Sequence, residues 1–172
     1  MGCASEFTPL RIAVLTVSDT RDMSTDTSGA LLAEKVVEEG HELVDRVIVK
    51  DDRYRIRAVV SRWISEPEVQ VVLISGGTGF TGRDITPEAV RPLLDREVDG
   101  FGEIFRYVSY LEIGTSSMQS RAFAGQANGT LIFALPGSTG AARTAWEQIL
   151  AEQLDARHGP CNFVSLIPRF HE

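Results

Sequence analysis

The sequence predicts a single α/β domain, a three-layer α/β/α sandwich around a mostly parallel sheet. Three observations carry this. The runs LRIAVLTVS (10–18), VQVVLIS (69–75) and TLIFALP (130–136) are apolar and of strand length, as in strands buried on both faces. Segments with helical apolar spacing stand between such runs, so strand and helix alternate. At 172 residues, with 43% hydrophobic and 24% charged side chains, the chain suits one compact body.

The first run is a strand ending at Ser18, and the polar stretch DTRDMSTDT after it is a loop. SGALLAEKVVEEG (28–40) has the pattern of a helix, with Leu32, Val36 and Val37 sharing a face. Asp26 to Ser28 supply its cap candidates and Gly40 its stop. ELVDRVIVK (42–50) predicts a second strand, and DDRYRIRAVVSRWI (51–64) a helix with an acidic start. Its inward residues are Ile56, Val59, Val60, Trp63 and Ile64. The third strand, 69–75, feeds a glycine loop, after which Thr86-Pro87-Glu88 opens a helix with Thr86 as N-cap. Residues 100–129 are less regular, with helical patches joined by a Ser-rich connection. The strand 130–136 then leads to a long final helix within 137–159, burying Trp146, Ile149, Leu150 and Leu154. The domain spans 10–163, between a flexible leader, 1–9, and a tail, 164–172. Ligands of such sheets sit beyond the carboxyl ends of strands, where the loops after Ser18, Lys50, Ser75 and Pro136 converge.

A net charge of −7 argues against nucleic acid or an anionic membrane as a partner. Cys3 and Cys161 form no C-x-x-C pair, and His41, His158 and His171 form no H-E-x-x-H zinc motif. No G-x-S-x-G elbow occurs. Glu6 stands where myristoylation wants Ser or Thr, and no signal-length apolar run follows, so a cytoplasmic setting is expected.

The stretch LISGGTGFTGRDITPEAV (73–90) matches two phosphate-binding motifs in part. Gly77, Gly79 and Gly82 spell the dinucleotide fingerprint, but they follow the third strand, and Glu97 and Asp99 lie at a helix end where a ribose-binding acid should close a strand. Gly77 and Gly82 also frame a P-loop, but Arg83 and Asp84 replace its Lys and Ser/Thr. A carboxylate beside a phosphate cradle calls for a cation that neutralises both. Four glycines in seven residues cost more backbone entropy than a plain turn requires. Asp51 and Asp52 begin a helix; capping accounts for one, and the other is a candidate to share the metal with Asp84. Ser120 with Arg121, and Ser138 at the start of the final helix, are candidate oxyanion contacts.

The segments TVSDT, DTSG, GGTGFTGRDITPEA, MQSR and LPGS, in this order and spacing, resemble the MoaB/MogA family of molybdenum cofactor biosynthesis, which includes the gephyrin G domain. The resemblance runs from Leu10 to about Phe163, and IVKDDRYRIRAVVSRW, DREVDGFGEIFR and PCNF resemble the MoaB branch. It implies an α/β/α fold, a homotrimer or dimer of trimers, and adenylylation of molybdopterin by ATP and Mg²⁺ with release of pyrophosphate. Carried onto this chain, it implies that Asp51 and Asp84 are catalytic and hold Mg²⁺. Ser75, Gly76, Gly77, Thr78 and Gly79, with Pro136, Gly137 and Ser138, would bind the nucleotide. Ser18, Asp26, Ser120 and Arg121 would bind the pterin. A downstream molybdenum insertion protein is the implied partner. The same residues suit a scaffold that binds molybdopterin without chemistry, and an NAD-dependent oxidoreductase rests on the G-x-G-x-x-G match alone.

Overall fold

The computed structural model describes residues 6–172, so Cys3 and most of the expected leader lie outside the described residues. Six strands form one sheet: β1 (Arg11–Val17), β2 (Glu42–Val49), β3 (Val71–Ser75), β4 (Arg96–Glu97), β5 (Phe123–Ala127) and β6 (Thr130–Leu135). Their order is β2-β1-β3-β6-β5-β4. β2, β1, β3 and β6 run parallel, while β5 and β4 extend the sheet antiparallel at one edge. Helices α1 (Thr27–Glu38), α2 (Arg53–Ser65), α3 (Thr86–Val90), α4 (Asp99–Ile113), α5 (Thr139–Ala145) and α6 (Ala151–Gln153) complete the fold. A π-helical turn, Trp146–Leu150, joins α5 to α6.

Alternation along β1 separates two cores. Ile12 and Val14 pack with Leu32 and Val36 of α1, Phe105 of α4, and Trp146. Ala13, Leu15 and Val17 face the other way, onto Ile56, Val60 and Trp63 of α2 and Ala89 and Val90 of α3. Each fully buried aliphatic side chain contributes about 1.5–3 kcal/mol, and both faces of the central strands collect such terms. The three-layer architecture follows from that double burial.

Several local expectations change. Val37 is 59% exposed, because the inner stripe of α1 runs Leu32–Val36 and the next residue turns away from it. In α2 only Ile56, Val60 and Trp63 are buried, with Val59 and Ile64 at the margin. Thr86 does not cap α3; it is the first helical residue, and its hydroxyl donates to the carbonyl of Gly76 at 2.8 Å. The irregular stretch contains a hairpin. Asn128 and Gly129 both have positive φ, 48° and 82°, as in a type I′ turn, and they fold β5 back onto β6. Val164, Ile167 and Phe170 pack against the α1/α4 core, so the chain beyond Phe163 continues to bury apolar surface. Among the described residues no helix is long and apolar enough to cross a membrane.

His41 ties the start of the domain down. Its Nδ1 accepts the Leu10 N–H at 3.1 Å, and its ring lies between Phe7 and Trp146, with centroids 5.1 and 6.4 Å away. Burial lowers its pKa, an effect that the Asp155 charge only partly offsets. The unfolded chain therefore takes up this proton first, and stability is full above the ordinary value of 6.5 and lost as pH falls through the folded one. Urea midpoints measured from about pH 7.5 to 5.5 should fall in the native chain and stay flatter in His41→Gln, which keeps an acceptor without a titration. Equal slopes would remove His41 as the cause.

Candidate active site

The parallel strands deliver their carboxyl ends to one cleft of about 450 Å³. Two glycines permit its floor. Gly76 has φ +108°, and a Cβ there would lie 2.2 Å from the Val17 carbonyl oxygen. Gly77 has φ +68°, and its Cβ would lie 2.3 Å from Thr86 Oγ1. The loop is then fastened on both sides. Thr86 donates to the Gly76 carbonyl through its hydroxyl and to that of Gly77 through its N–H, the latter at 3.0 Å. Arg121 donates to three further carbonyls: Thr78 from its backbone N–H at 2.8 Å, Gly79 from Nε at 2.7 Å and Asp84 from its guanidinium at 2.6 Å. Its guanidinium also pairs with Glu88 and lies 5.4 Å above the Phe80 ring.

The consecutive aspartates divide their tasks. Asp52 caps α2, its Oδ1 accepting from Tyr54 N–H at 3.0 Å and Arg55 N–H at 2.8 Å. Asp51 makes no cap and lines the cleft with Asp84, Asp19, Arg21 and Arg83. Burial raises the Asp51 carboxyl above the usual carboxylate range, and the charges of Asp19 and Asp84 push it the same way against the pull of Arg83. Burial acts upward on Asp84 too, but hydrogen bonds from Thr81 and Gly79 and the nearby Arg121 outweigh it and hold that carboxyl low. Arg83 pairs with Asp19 at the mouth of the cleft.

Among the described residues no group of three or more His, Cys, Asp or Glu side chains is placed to hold a metal alone. A Mg²⁺ ion that arrives with a phosphate ligand commonly takes one or two protein carboxylates and completes its shell from phosphates and water. Asp51 and Asp84 could fill that role: burial and neighbouring acids disfavour the first as an anion, which a cation would offset, and hydrogen bonds hold the second carboxyl low.

The expected pterin residues do not share one cavity. Ser18 lies in the cleft, where its Oγ accepts the N–H groups of Thr20 and Arg21 at 3.3 and 3.2 Å. Ser120 lines a separate pocket of about 210 Å³ together with Thr78, Gly79, Pro136 and Ser138. Asp26 lines neither. Its side chain is fully buried, caps α1 through Gly29 N–H at 3.0 Å, and accepts from Thr16 Oγ1 at 2.7 Å and Arg46 at 3.0 Å. A carboxylate with those partners is a structural cap, not a ligand contact. Ser75 and Gly137 line the cleft with Gly76 and Gly77, although the Ser75 hydroxyl is spent on Ser28 at 2.9 Å. Arg121 and Ser120 together border a further hollow of about 540 Å³, lined by none of the aspartates, so the chemistry and not the volume picks out the cleft.

Sequence reasoning missed Asp19 and Arg21. Their position directly after the carboxyl end of β1 was the available signal. Arg21 donates to Ser28 Oγ at 2.8 Å and to the Gly137 carbonyl at 3.0 Å, bridging the loops after β1 and β6.

If Arg121 fastens the glycine loop, lysine cannot replace it, because an ammonium lacks the planar fork that reaches two carbonyls and a carboxylate. Arg121→Lys should cost about 1–3 kcal/mol in urea unfolding. An unchanged midpoint would refute the fastening role.

The sequence pattern of a family described as "Probable molybdopterin binding domain" matches residues 13–156. Molybdenum cofactor biosynthesis protein B of Escherichia coli (strain K12) is 62% identical over 160 residues, 93% of this chain and 94% of that protein. Its counterpart in Staphylococcus aureus (strain COL) is 46% identical over 149 residues, 85% of this chain and 88% of that one. A crystal structure of a molybdenum cofactor biosynthesis protein B superposes with a TM-score of 0.83 at 47% identity, covering 86% of this chain and 92% of the other. This chain therefore belongs to the MoaB/MogA family of molybdenum cofactor biosynthesis proteins, on its MoaB side.

Proposed function

We propose that the chain binds molybdopterin in the loops above the sheet and adenylylates it with Mg-ATP, releasing pyrophosphate. The observation that carries this reading is the pairing of Asp51, relieved of capping by Asp52, with Asp84 across a glycine-floored cleft. In such a reaction an oxygen of the molybdopterin phosphate attacks the α-phosphorus of ATP, and the bond to the departing pyrophosphate oxygen breaks. The attacking oxygen is already ionised at neutral pH, so no Ser–His pair or other general base is required. The remaining task is to hold anions together and disperse their charge. Mg²⁺ held by Asp51 and Asp84 would supply that dispersal, while the fastened loop fixes the position of the phosphates.

Purified protein incubated with α-labelled ATP, Mg²⁺ and molybdopterin should form adenylylated pterin and pyrophosphate. Asp51→Asn and Asp84→Asn should each lower the rate about 100-fold or more. Full rate in either variant would end the metal role of that residue. Pterin binding without pyrophosphate release in the native chain would favour the scaffold instead. Stability gives an independent reading of Asp51. Its raised pKa means that the folded state keeps the proton longer than the unfolded state, so stability falls as pH rises from the ordinary value of 3.8 through the raised one. Without Mg²⁺ at neutral pH, Asp51→Asn should therefore melt higher than the native chain, and a lower melting point would contradict the electrostatic account.

We propose further that the chain assembles with copies of itself, as a trimer or a dimer of trimers. Ile104, Tyr107 and Leu111 of α4 are 53%, 63% and 67% exposed at helical spacing, an apolar stripe that monomers rarely leave to water. Sedimentation should give three or six chains, and Ile104→Glu with Leu111→Glu should give folded monomers. A monomeric native chain would overturn this assembly.

A further inference from the structure

Beneath the cleft, one buried carboxylate is shared by two arginines. The Asp26 side chain has no exposure, and Arg46 meets its Oδ2 at 3.0 Å. Arg21 stands 3.8 Å from its Oδ1 and lines the cleft. One negative charge thus answers two positive ones, and the surplus falls to Arg21, because Arg46 makes the closer pair. Among the described residues no other carboxylate comes within ion-pair distance of Arg21.

The hydrogen bonds of Arg21 leave half of its guanidinium unused. Nη1 donates to Ser28 Oγ at 2.8 Å and to the Gly137 carbonyl at 3.0 Å. Nε and Nη2 donate to nothing among the described residues, and both are reached by solvent. The residue is nevertheless held in place. Its backbone N–H donates to Ser18 Oγ at 3.2 Å, and the buried Ser28 hydroxyl is fixed in turn by Ser75 Oγ at 2.9 Å. A bridge between a hydroxyl and a carbonyl needs no charge, since a neutral amide could donate to both. A half-buried cation is the costlier choice, and the fold alone does not explain it. Arg83, the other cation of the cleft, differs: its side chain is largely exposed and its charge is met by Asp19.

We infer that Arg21 is a further ligand contact, taking two oxygens of one phosphate group on its Nε–Nη2 edge without the help of a metal. That edge offers two parallel N–H donors whose spacing matches phosphate oxygens. Because Nη1 is already fastened, the fork has lost much of its freedom before a ligand arrives. The cleft is then two-signed. Carboxylates after β2 and the glycine loop suit a cation, and a guanidinium between the loops after β1 and β6 suits an anion. A chain of phosphates can use both, one group on a cation and another on Arg21. Asp26 and Ser28 act as positioning residues, holding the guanidinium without touching the ligand. The inference rests on the proposed function in taking phosphate as the anion, and on neither metal binding nor adenylyl transfer.

The probe is inorganic pyrophosphate, and EDTA removes any contribution from Mg²⁺. Calorimetric titration of the full chain should show saturable binding, half-complete at about 1 mM or below. Arg21→Gln can still donate to Ser28 and Gly137, so its urea midpoint should stay near the native one while pyrophosphate binding weakens about tenfold. A merely structural bridge would not produce that split. In the same buffer Asp84→Asn should bind pyrophosphate at least as tightly as the native chain, because it removes a negative charge from the cleft. Failure of adenylyl transfer would therefore leave this contact standing. Phenylglyoxal gives a reading without substitution: pyrophosphate should protect Arg21 of the native chain from modification, mapped by peptide mass. The inference is overturned if pyrophosphate does not bind in EDTA, if Arg21→Gln binds it as tightly as the native chain, or if Arg21 is modified equally fast with and without it.

Discussion

The site depends on one close approach between backbones. Gly76 leaves β3 so near to β1 that any side chain would collide with the Val17 carbonyl, and Gly137 leaves β6 so near to Gly76 that its own Cβ would stand 3.2 Å from the Gly76 Cα. Three parallel strands therefore release their loops into a common space with no side chains between them. Everything charged must come from the next residues along. After β1 these are Ser18, Asp19 and Arg21; after β2, Asp51; after the glycine loop, Arg83 and Asp84. The sheet fixes where the loops begin, and the glycines fix how closely they meet.

Around that floor the polar groups fall into two kinds. Asp26 is buried with all its partners present, and hydrogen bonds hold its carboxyl low although burial alone would raise it. It stabilises the start of α1 and, with Arg46, the underside of the loops. Asp51 has no such set of partners: burial first, and then the charges of Asp19 and Asp84, disfavour its ionised form. The first arrangement is what folding alone selects. The second is unfavourable for the free protein and becomes favourable when a cation or a cationic ligand is present, a pattern expected of working sites. The contrast between two aspartates in one fold, one satisfied and one not, separates scaffold from site more sharply than proximity does.

The central strands were legible because burial on both faces leaves continuous apolar runs, and α1 and α2 because their inner residues repeat with helical spacing. β5 was not, although the turn that creates it was in plain view: Asn128-Gly129 lies between FAGQA and TLIFAL, a hairpin signal by its need for two positive φ angles. Gly125 and Gln126 dilute the apolar character of that strand, so its five residues carry no continuous apolar run. The glycine loop and its aspartate were legible from spacing alone. Which of two adjacent aspartates caps α2 was not, since either has the same local chemistry and only the chain's entry angle decides. Asp26 misled for the same reason, because a motif residue held for a structural purpose has the same sequence signature as one held for a ligand. Ser18 and Ser120 were joined by expectation and parted by the fold, one on each side of the loop.

That parting gives the loop its meaning. A flexible turn can cover one ligand, but a wall shared by two cavities must hold its place from both sides. This loop is held by Thr86 through the carbonyls of Gly76 and Gly77 and by Arg121 through those of Thr78, Gly79 and Asp84, so its first four residues and its far end are fastened through their carbonyl oxygens. Rigidity of this kind suits transfer between phosphates, in which the protein has little covalent chemistry to do and the rate depends on how well two anions are held in line. Arg121 is thus more informative as a fastener than as an anion contact. Its positive charge is answered by Glu88 and by carbonyl oxygens, and what it contributes is the fixed boundary between a charged space and an uncharged one.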